Sequence, residues 1–231
     1  MFAMGKGSVF LREMEVKIIS SESAVFNPAL LNFWDKLEGS GTSVLAIDPV
    51  PPPSQREVQK NLSGKDYESL AVLTRLKGNY YLRHYELQRG HDPSWTLAKA
   101  FELALKFRIS YISVETVAYQ ATLKWLLEQE MTRRRQYYSI IPTKSQKSKF
   151  QRIVDMIGPL LQLRKLHVLA THTEFIEQIT EYPAVAHDDL LDSVAIGLRA
   201  LINPAVELGE GEYSVIDEAD YEDAPVIRRA P

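Results

Sequence analysis

Ser43-Val-Leu-Ala-Ile-Asp48-Pro49 is a near-continuous apolar run that ends in an acid and is then stopped by a proline. Apolar residues without polar alternation read as a central strand buried on both faces, here with Asp48 at its tip. Pro49 has no N–H to give a ladder, and Pro51-Pro52-Pro53 continues as an extended linker into a long polar loop. Tyr67 to Lys77 and Tyr80 to Gln88 alternate as strands, joined at Gly78-Asn79, a tight hairpin signal. Arg108-Ile-Ser-Tyr-Ile-Ser-Val-Glu115 is a further apolar strand, and it also ends in an acid.

Between and after these strands the apolar spacing turns helical. Asp92-Pro93-Ser94 opens a helix with Trp95, Ala98, Phe101 and Leu105 inward. A second helix, Ala118 to Glu130, carries Leu123, Trp125, Leu126 and Leu127. Tyr137 to Ile141 is a short strand, Ser148 to Leu163 a helix with Ile153, Met156, Ile157 and Leu160 inward, and His167-Val-Leu a short strand. Then come a helix from His172 to Thr180 and a last one, after Pro183, with Leu191, Val194, Ala195, Leu198, Leu201 and Ile202 as its apolar stripe. Upstream, Pro28 to Leu37 reads as a short apolar helix. The pattern predicts an α/β fold: a mixed sheet, antiparallel in its first three strands and parallel later, flanked by helices. Residues 1–42 are expected to be a lead-in packing on the body, 43–202 the domain itself, and 203–231 an acidic, disordered tail.

The chain has no cysteine, which excludes disulfides, thiolate zinc sites and cysteine nucleophiles. No apolar run reaches 18 residues and the N-terminus lacks the apolar core of a signal peptide, so no membrane association is expected. The formal net charge of −3 conceals a strong asymmetry. Met131 to Arg152 holds seven basic residues and no acid: Arg133, Arg134, Arg135, Lys144, Lys147, Lys149 and Arg152. Residues 203–227 hold eight acids and no base. The basic block suits a polyanion such as nucleic acid, although charge runs are commonly solvated faces.

The chemistry is carried by carboxylates. Asp48 and Glu115 end strands, and His187-Asp188-Asp189-Leu-Leu-Asp192 opens the last helix. At about 100° per residue, Asp192 lies roughly 40° from Asp188 and 60° from Asp189 around the axis, so it shares a face with either. Capping and compensation of the helix dipole explain one or two of these acids, not all. Side chains at strand ends face the crevice where α/β sheets bind ligands. If the strands ending in Asp48 and Glu115 are neighbours and the last helix crosses that end, the acids converge. Without cations such convergence is unfavourable; with two Mg²⁺ or Mn²⁺ ions it becomes a site for phosphodiester hydrolysis. His187 stands beside the acids as a supporting partner or a hydrogen-bonded surface residue.

In this order the motifs Val44-Leu-Ala-Ile-Asp48, Ile112-Ser-Val-Glu115, Lys149-Phe-Gln-Arg152-Ile153 and His187-Asp188-Asp189-Leu-Leu-Asp192 resemble the C-terminal nuclease domain of tailed-bacteriophage terminase large subunits, of the RNase H-like superfamily. Phe10-Leu-Arg-Glu13 is similar to the segment leading from the motor into that nuclease. The resemblance implies an RNase H-like fold and a Mg²⁺- or Mn²⁺-dependent endonuclease that cuts double-stranded viral DNA during packaging in the infected host's cytoplasm. Asp48, Glu115, Asp189 and Asp192 would be catalytic and, with Asp188, metal ligands. It implies an ATPase motor domain, a small terminase subunit and a portal ring as partners. No Gly-x-x-x-x-Gly-Lys-Ser/Thr loop is present, so no ATPase activity is expected of this chain. A Holliday-junction resolvase and a non-catalytic module docking DNA or portal are the alternatives.

Overall fold

The computed structural model describes residues 24–51, 67–90, 92–115, 118–143 and 147–202; Glu115 and residues 118–121 are described by their backbone alone. Phe10–Glu13, Lys144, most of the 50–65 loop and the acidic tail lie outside the described residues. A 3-10 turn, Pro28–Leu30, leads into β1 (Asn32–Phe33). Then follow β2 (Thr42–Asp48), β3 (Glu68–Leu76), β4 (Asn79–Gln88), α1 (Pro93–Phe107), β5 (Tyr111–Glu115), α2 (Ala118–Arg134) and β6 (Ser139–Thr143). α3 (Lys149–Gln162), β7 (Leu166–Val168), α4 (Thr173–Glu181) and α5 (Asp189–Ile202) complete the described chain.

The strands form one seven-stranded sheet in the order β1-β7-β4-β3-β2-β5-β6. β2, β3 and β4 pair antiparallel, and β5, β6, β7 and β1 add parallel strands on either side. The mixed sheet expected from the strand pattern is therefore the one observed, as the resemblance also implies. β2 is central, and its alternate residues serve two cores. Val44 packs with Ala71, Leu73 and Leu82 beneath α3, α4 and α5, whereas Leu45 and Ile47 pack with Leu70 and Val72 beneath α1 and α2. A fully buried leucine such as Leu73 or Leu82 stabilises the fold by roughly 1.5–3 kcal/mol.

α5 is the most deeply buried helix. Every residue from Asp189 to Leu198 is buried, so its apolar stripe widens to almost the full circumference. It lies close on the sheet because Gly197 has no side chain. A Cβ there would sit 2.5 Å from Leu73 Cδ1 and 3.1 Å from Ala46 Cβ. Asp92 caps α1 by accepting the Ser94 N–H at 2.7 Å, and Ser148 caps α3 through the Gln151 N–H.

Three local expectations are corrected. Pro28 to Leu37 is not a helix: the turn stops at Leu30, and Asn32–Phe33 pairs with β7 instead. In α1 the buried set is Thr96, Ala100, Phe101, Leu103 and Ala104, leaving Leu105 66% exposed and Ala98 exposed. On α2, Trp125 is 56% exposed while Leu123 and Leu127 are buried. Among the described residues, no helix is long and apolar enough to cross a membrane.

Candidate active site

β2 and β5 are parallel neighbours with Ile47 opposite Val114, so the next residues, Asp48 and Glu115, finish adjacent strands at one edge of the sheet. α5 begins over that same edge, with the Asp192 N–H bonded to the Asp188 carbonyl in its first turn. The backbone thus brings the ends of β2 and β5 and the start of α5 to one edge of the sheet.

Asp189 is 4% exposed and fixed on both oxygens: Oδ2 accepts the Tyr67 N–H at 2.9 Å, and Oδ1 accepts Lys149 Nζ at 2.7 Å. The same ammonium lies 2.8 Å from Asp188 Oδ1. Burial alone would lower the Lys149 pKa. Hydrogen bonds to Asp188 and Asp189, with the charges of Asp189 and Asp48, overcome it and hold the group well above the ordinary lysine value. Three carboxylates from two distant parts of the sequence therefore act on one ammonium.

Asp192 has a different partner. Its Oδ1 accepts Arg152 Nε at 2.6 Å and its Oδ2 accepts Nη2 at 2.5 Å, and the two residues are 2% and 6% exposed. This bidentate pair joins α3 to α5 one turn below Asp188 and Asp189. Nearby, Ser193 and Ser69 share a 2.6 Å hydroxyl contact that ties α5 to β3. Tyr182, buried and facing the charges of Asp188 and Asp192, has its hydroxyl pKa pushed up to about 12.

The basic block from Met131 to Arg152 is not one DNA-facing surface. Lys149 and Arg152 point inward at the carboxylates, and Lys147 is 2.6 Å from Asp155. Arg133 and Arg134 lie at the far end of α2, where both clamp Glu130 and hold its carboxyl down to about 2. Arg135 is exposed beside them. His187 does not hydrogen-bond the acids next to it among the described contacts. Its Nε2 accepts from Arg89 Nη2 at 2.7 Å, because a guanidinium can only donate. Arg89 also lies 3.7 Å over the Tyr67 ring. Arg89 and Tyr67 are site residues that the sequence reading missed; Arg89 follows the end of β4 at the same edge as Asp48, and the strand-end rule was the signal for it.

Among the described residues, no three His, Asp or Glu side chains are already gathered as a metal-binding group. The donors nonetheless fit a hard divalent cation: Asp48, Asp188 and Asp189 offer oxygen only, and a cationic Nζ already stands among them.

Residues 59–166 match the family model "Terminase Bacteriophage T7, Ribonuclease H-like domain". No curated protein matches the chain in sequence. Among solved structures, the chain is similar to the large terminase nuclease of thermophilic phage G20c with bound magnesium. That match has a TM-score of 0.54 and 16% identity, covering 77% of this chain and 97% of that one. It is similar too to the manganese-soaked, inhibitor-bound human cytomegalovirus terminase nuclease domain, with a TM-score of 0.52 and 12% identity over 77% and 95%. The large terminase of a second thermophilic bacteriophage aligns at a TM-score of 0.57 and 10% identity; 77% of this chain spans only 44% of that one. In sequence over residues 59–166, and in fold over about three quarters of its length, this chain is similar to the RNase H-like nuclease domains of terminase large subunits.

Proposed function

We propose that this chain is a Mg²⁺- or Mn²⁺-dependent endonuclease that cleaves double-stranded viral DNA during genome packaging. The observation that carries this reading is the Lys149 ammonium held by Asp188 and Asp189 and within the field of Asp48, at the edge where β2 and β5 end. Acids that close together need positive charge, and where the internal cation sits is where a divalent one would be held. Asp48, Asp188 and Asp189 are the proposed ligands, with Glu115 at the adjoining strand end as a further one. When bound, one or two such ions supply an activated water and neutralise charge on the leaving oxygen.

The remaining residues act as support. The Tyr67 N–H fixes the Asp189 carboxylate, and the Arg152–Asp192 pair sets the first turn of α5 against α3. Asp192 is therefore assigned a positioning role, with its charge already balanced by Arg152. Lys149, once freed from Asp188 and Asp189, is placed to face a phosphate. Arg89 at the same edge offers a second cation to the DNA backbone.

G20c and cytomegalovirus nucleases with magnesium and manganese, respectively, support the metal class. The longer terminase of the second thermophilic phage, described in complex with ATP-gamma-S, supports an ATPase motor domain as partner. A small terminase subunit, a portal ring and action in the infected host's cytoplasm belong to the same proposal. A supercoiled-plasmid assay tests it: nicking and linearisation with Mg²⁺ or Mn²⁺ and none with Ca²⁺ or chelator are expected. Cleavage that persists in chelator would reject it.

A further inference from the structure

The sheet has a second charged pole, opposite the carboxylates. The start of β2 pairs with the end of β3, Thr42 opposite Arg75, and the β3–β4 hairpin turns at Lys77 and Gly78. β5 and β7 start at this end too: the Ser110 N–H bonds the Ser43 carbonyl, and the Tyr80 N–H bonds the Lys165 carbonyl. β6 starts beside β5, with Ser139 opposite Tyr111. The segments that lead into these strands therefore place Arg75, Lys77, Arg108, Arg135, Arg164 and Lys165 around one rim. All six are exposed, and among the described residues none is paired with a carboxylate.

The backbone singles out four of them. Lys77, Arg108, Arg135 and Arg164, with φ of 50°, 51°, 56° and 52°, are the non-glycine residues of positive φ among those described. This left-handed conformation favours Gly, and after Gly it favours Asn; here every such position holds a cation. Attraction to helix C-termini accounts for a positive charge at Arg108, Arg135 and Arg164, which follow α1, α2 and α3. It does not account for Lys77 in a hairpin, nor for Arg75 and Lys165.

The described chain ends at this pole as well. Arg75 Nη1 donates to the Leu201 carbonyl at 3.2 Å, in the last turn of α5. Beyond Ile202 come the 25 residues 203–227, with eight acids and no base. That length reaches roughly 80 Å when extended, more than enough to cover the rim. A tether this short also presents its acids at an effective concentration on the order of millimolar. DNA held at the carboxylate edge would be a strand length away, since the ten residues of β4 span about 33 Å.

We propose that the acidic segment 203–227 docks on the basic rim of its own chain and shields it from other polyanions. The inference does not depend on the nuclease assignment, because it involves neither the carboxylate edge nor a metal.

Carbodiimide coupling of the full chain at low salt, read by peptide mass spectrometry, tests the contact. Links within one molecule from Lys77 or Lys165 to acids between Glu207 and Asp223, lost in molar salt, are expected. Links confined to other lysines, or only between molecules, would overturn it. Heparin affinity tests shielding independently. Changing the eight acids to Gln or Asn should delay elution relative to the wild-type chain. The same change should have less than half that effect when Lys77, Arg108, Arg135 and Arg164 are all Asn, a residue that tolerates positive φ. Equal delays in both backgrounds would refute the docking and leave the rim to an external polyanion such as DNA.

Discussion

Arg152 and Asp192 meet between α3 and α5 as a two-pronged ion pair, Nε to Oδ1 at 2.6 Å and Nη2 to Oδ2 at 2.5 Å, with almost no water access. Forty positions separate them in sequence, yet they determine how the acidic first turn of α5 sits against the rest of the domain. A buried pair of this kind contributes little over an apolar substitute, but breaking it strands one charge without water.

Arg152→Met alone, or Asp192→Leu alone, is therefore expected to cost about 3–5 kcal/mol of stability, whereas the double substitution should cost far less than the sum. Urea unfolding of the four proteins measures this coupling. Additive losses would mean that the pair is not the joint between α3 and α5.

His172 supplies a pH dependence. It is buried, its Nδ1 accepts the Leu169 N–H at 3.3 Å, and the Tyr85 ring packs against it. Burial, helped by the charge of His84, lowers its pKa from 6.5 to about 4. The unfolded chain then binds a proton that the folded one does not, between pH 6.5 and 4. Stability from this residue is full above about pH 6.5 and falls as pH drops to about 4, by up to about 3 kcal/mol. His172→Asn should flatten that slope in thermal unfolding between pH 7 and 4. An unchanged slope would assign the acid sensitivity to other groups.

Lys149 competes for the oxygens that a metal would use. Lys149→Met leaves Asp188 and Asp189 without their internal cation, so Mn²⁺ should bind about tenfold more tightly, equivalent to about 1.4 kcal/mol. Titration calorimetry with Mn²⁺ checks this. Weaker binding in the variant would show that the ammonium organises the carboxylates for the ion and does not occupy its place.

What could be read in the sequence was local. The apolar run ending at Asp48, the Gly78 turn and the helix starts near Asp92 and Ser148 each depend on neighbours along the chain, and all appear where expected. That the strands ending in Asp48 and Glu115 are neighbours was only a condition in the sequence, and the parallel pairing of β2 with β5 meets it. The misread faces had a common cause. In α1 the buried face includes the small residues Thr96, Ala100 and Ala104, so a stripe anchored on the large residues Trp95 and Leu105 is rotated off the true face. The fate of the cations was not legible at all. Whether Lys149 and Arg152 face solvent or acids 40 residues away depends on tertiary packing, and a dense basic run looks the same in either case.

Asp48 and Asp189, 141 positions apart in the chain, are proposed to hold the cation on which DNA cleavage depends. The most direct measurement is cleavage of supercoiled plasmid in Mn²⁺ by Asp48→Asn and Asp189→Asn, each isosteric, with circular dichroism to verify folding. Each folded variant is expected to lose cleavage by at least a hundredfold, about 2.7 kcal/mol. Undiminished nicking by either variant would contradict it.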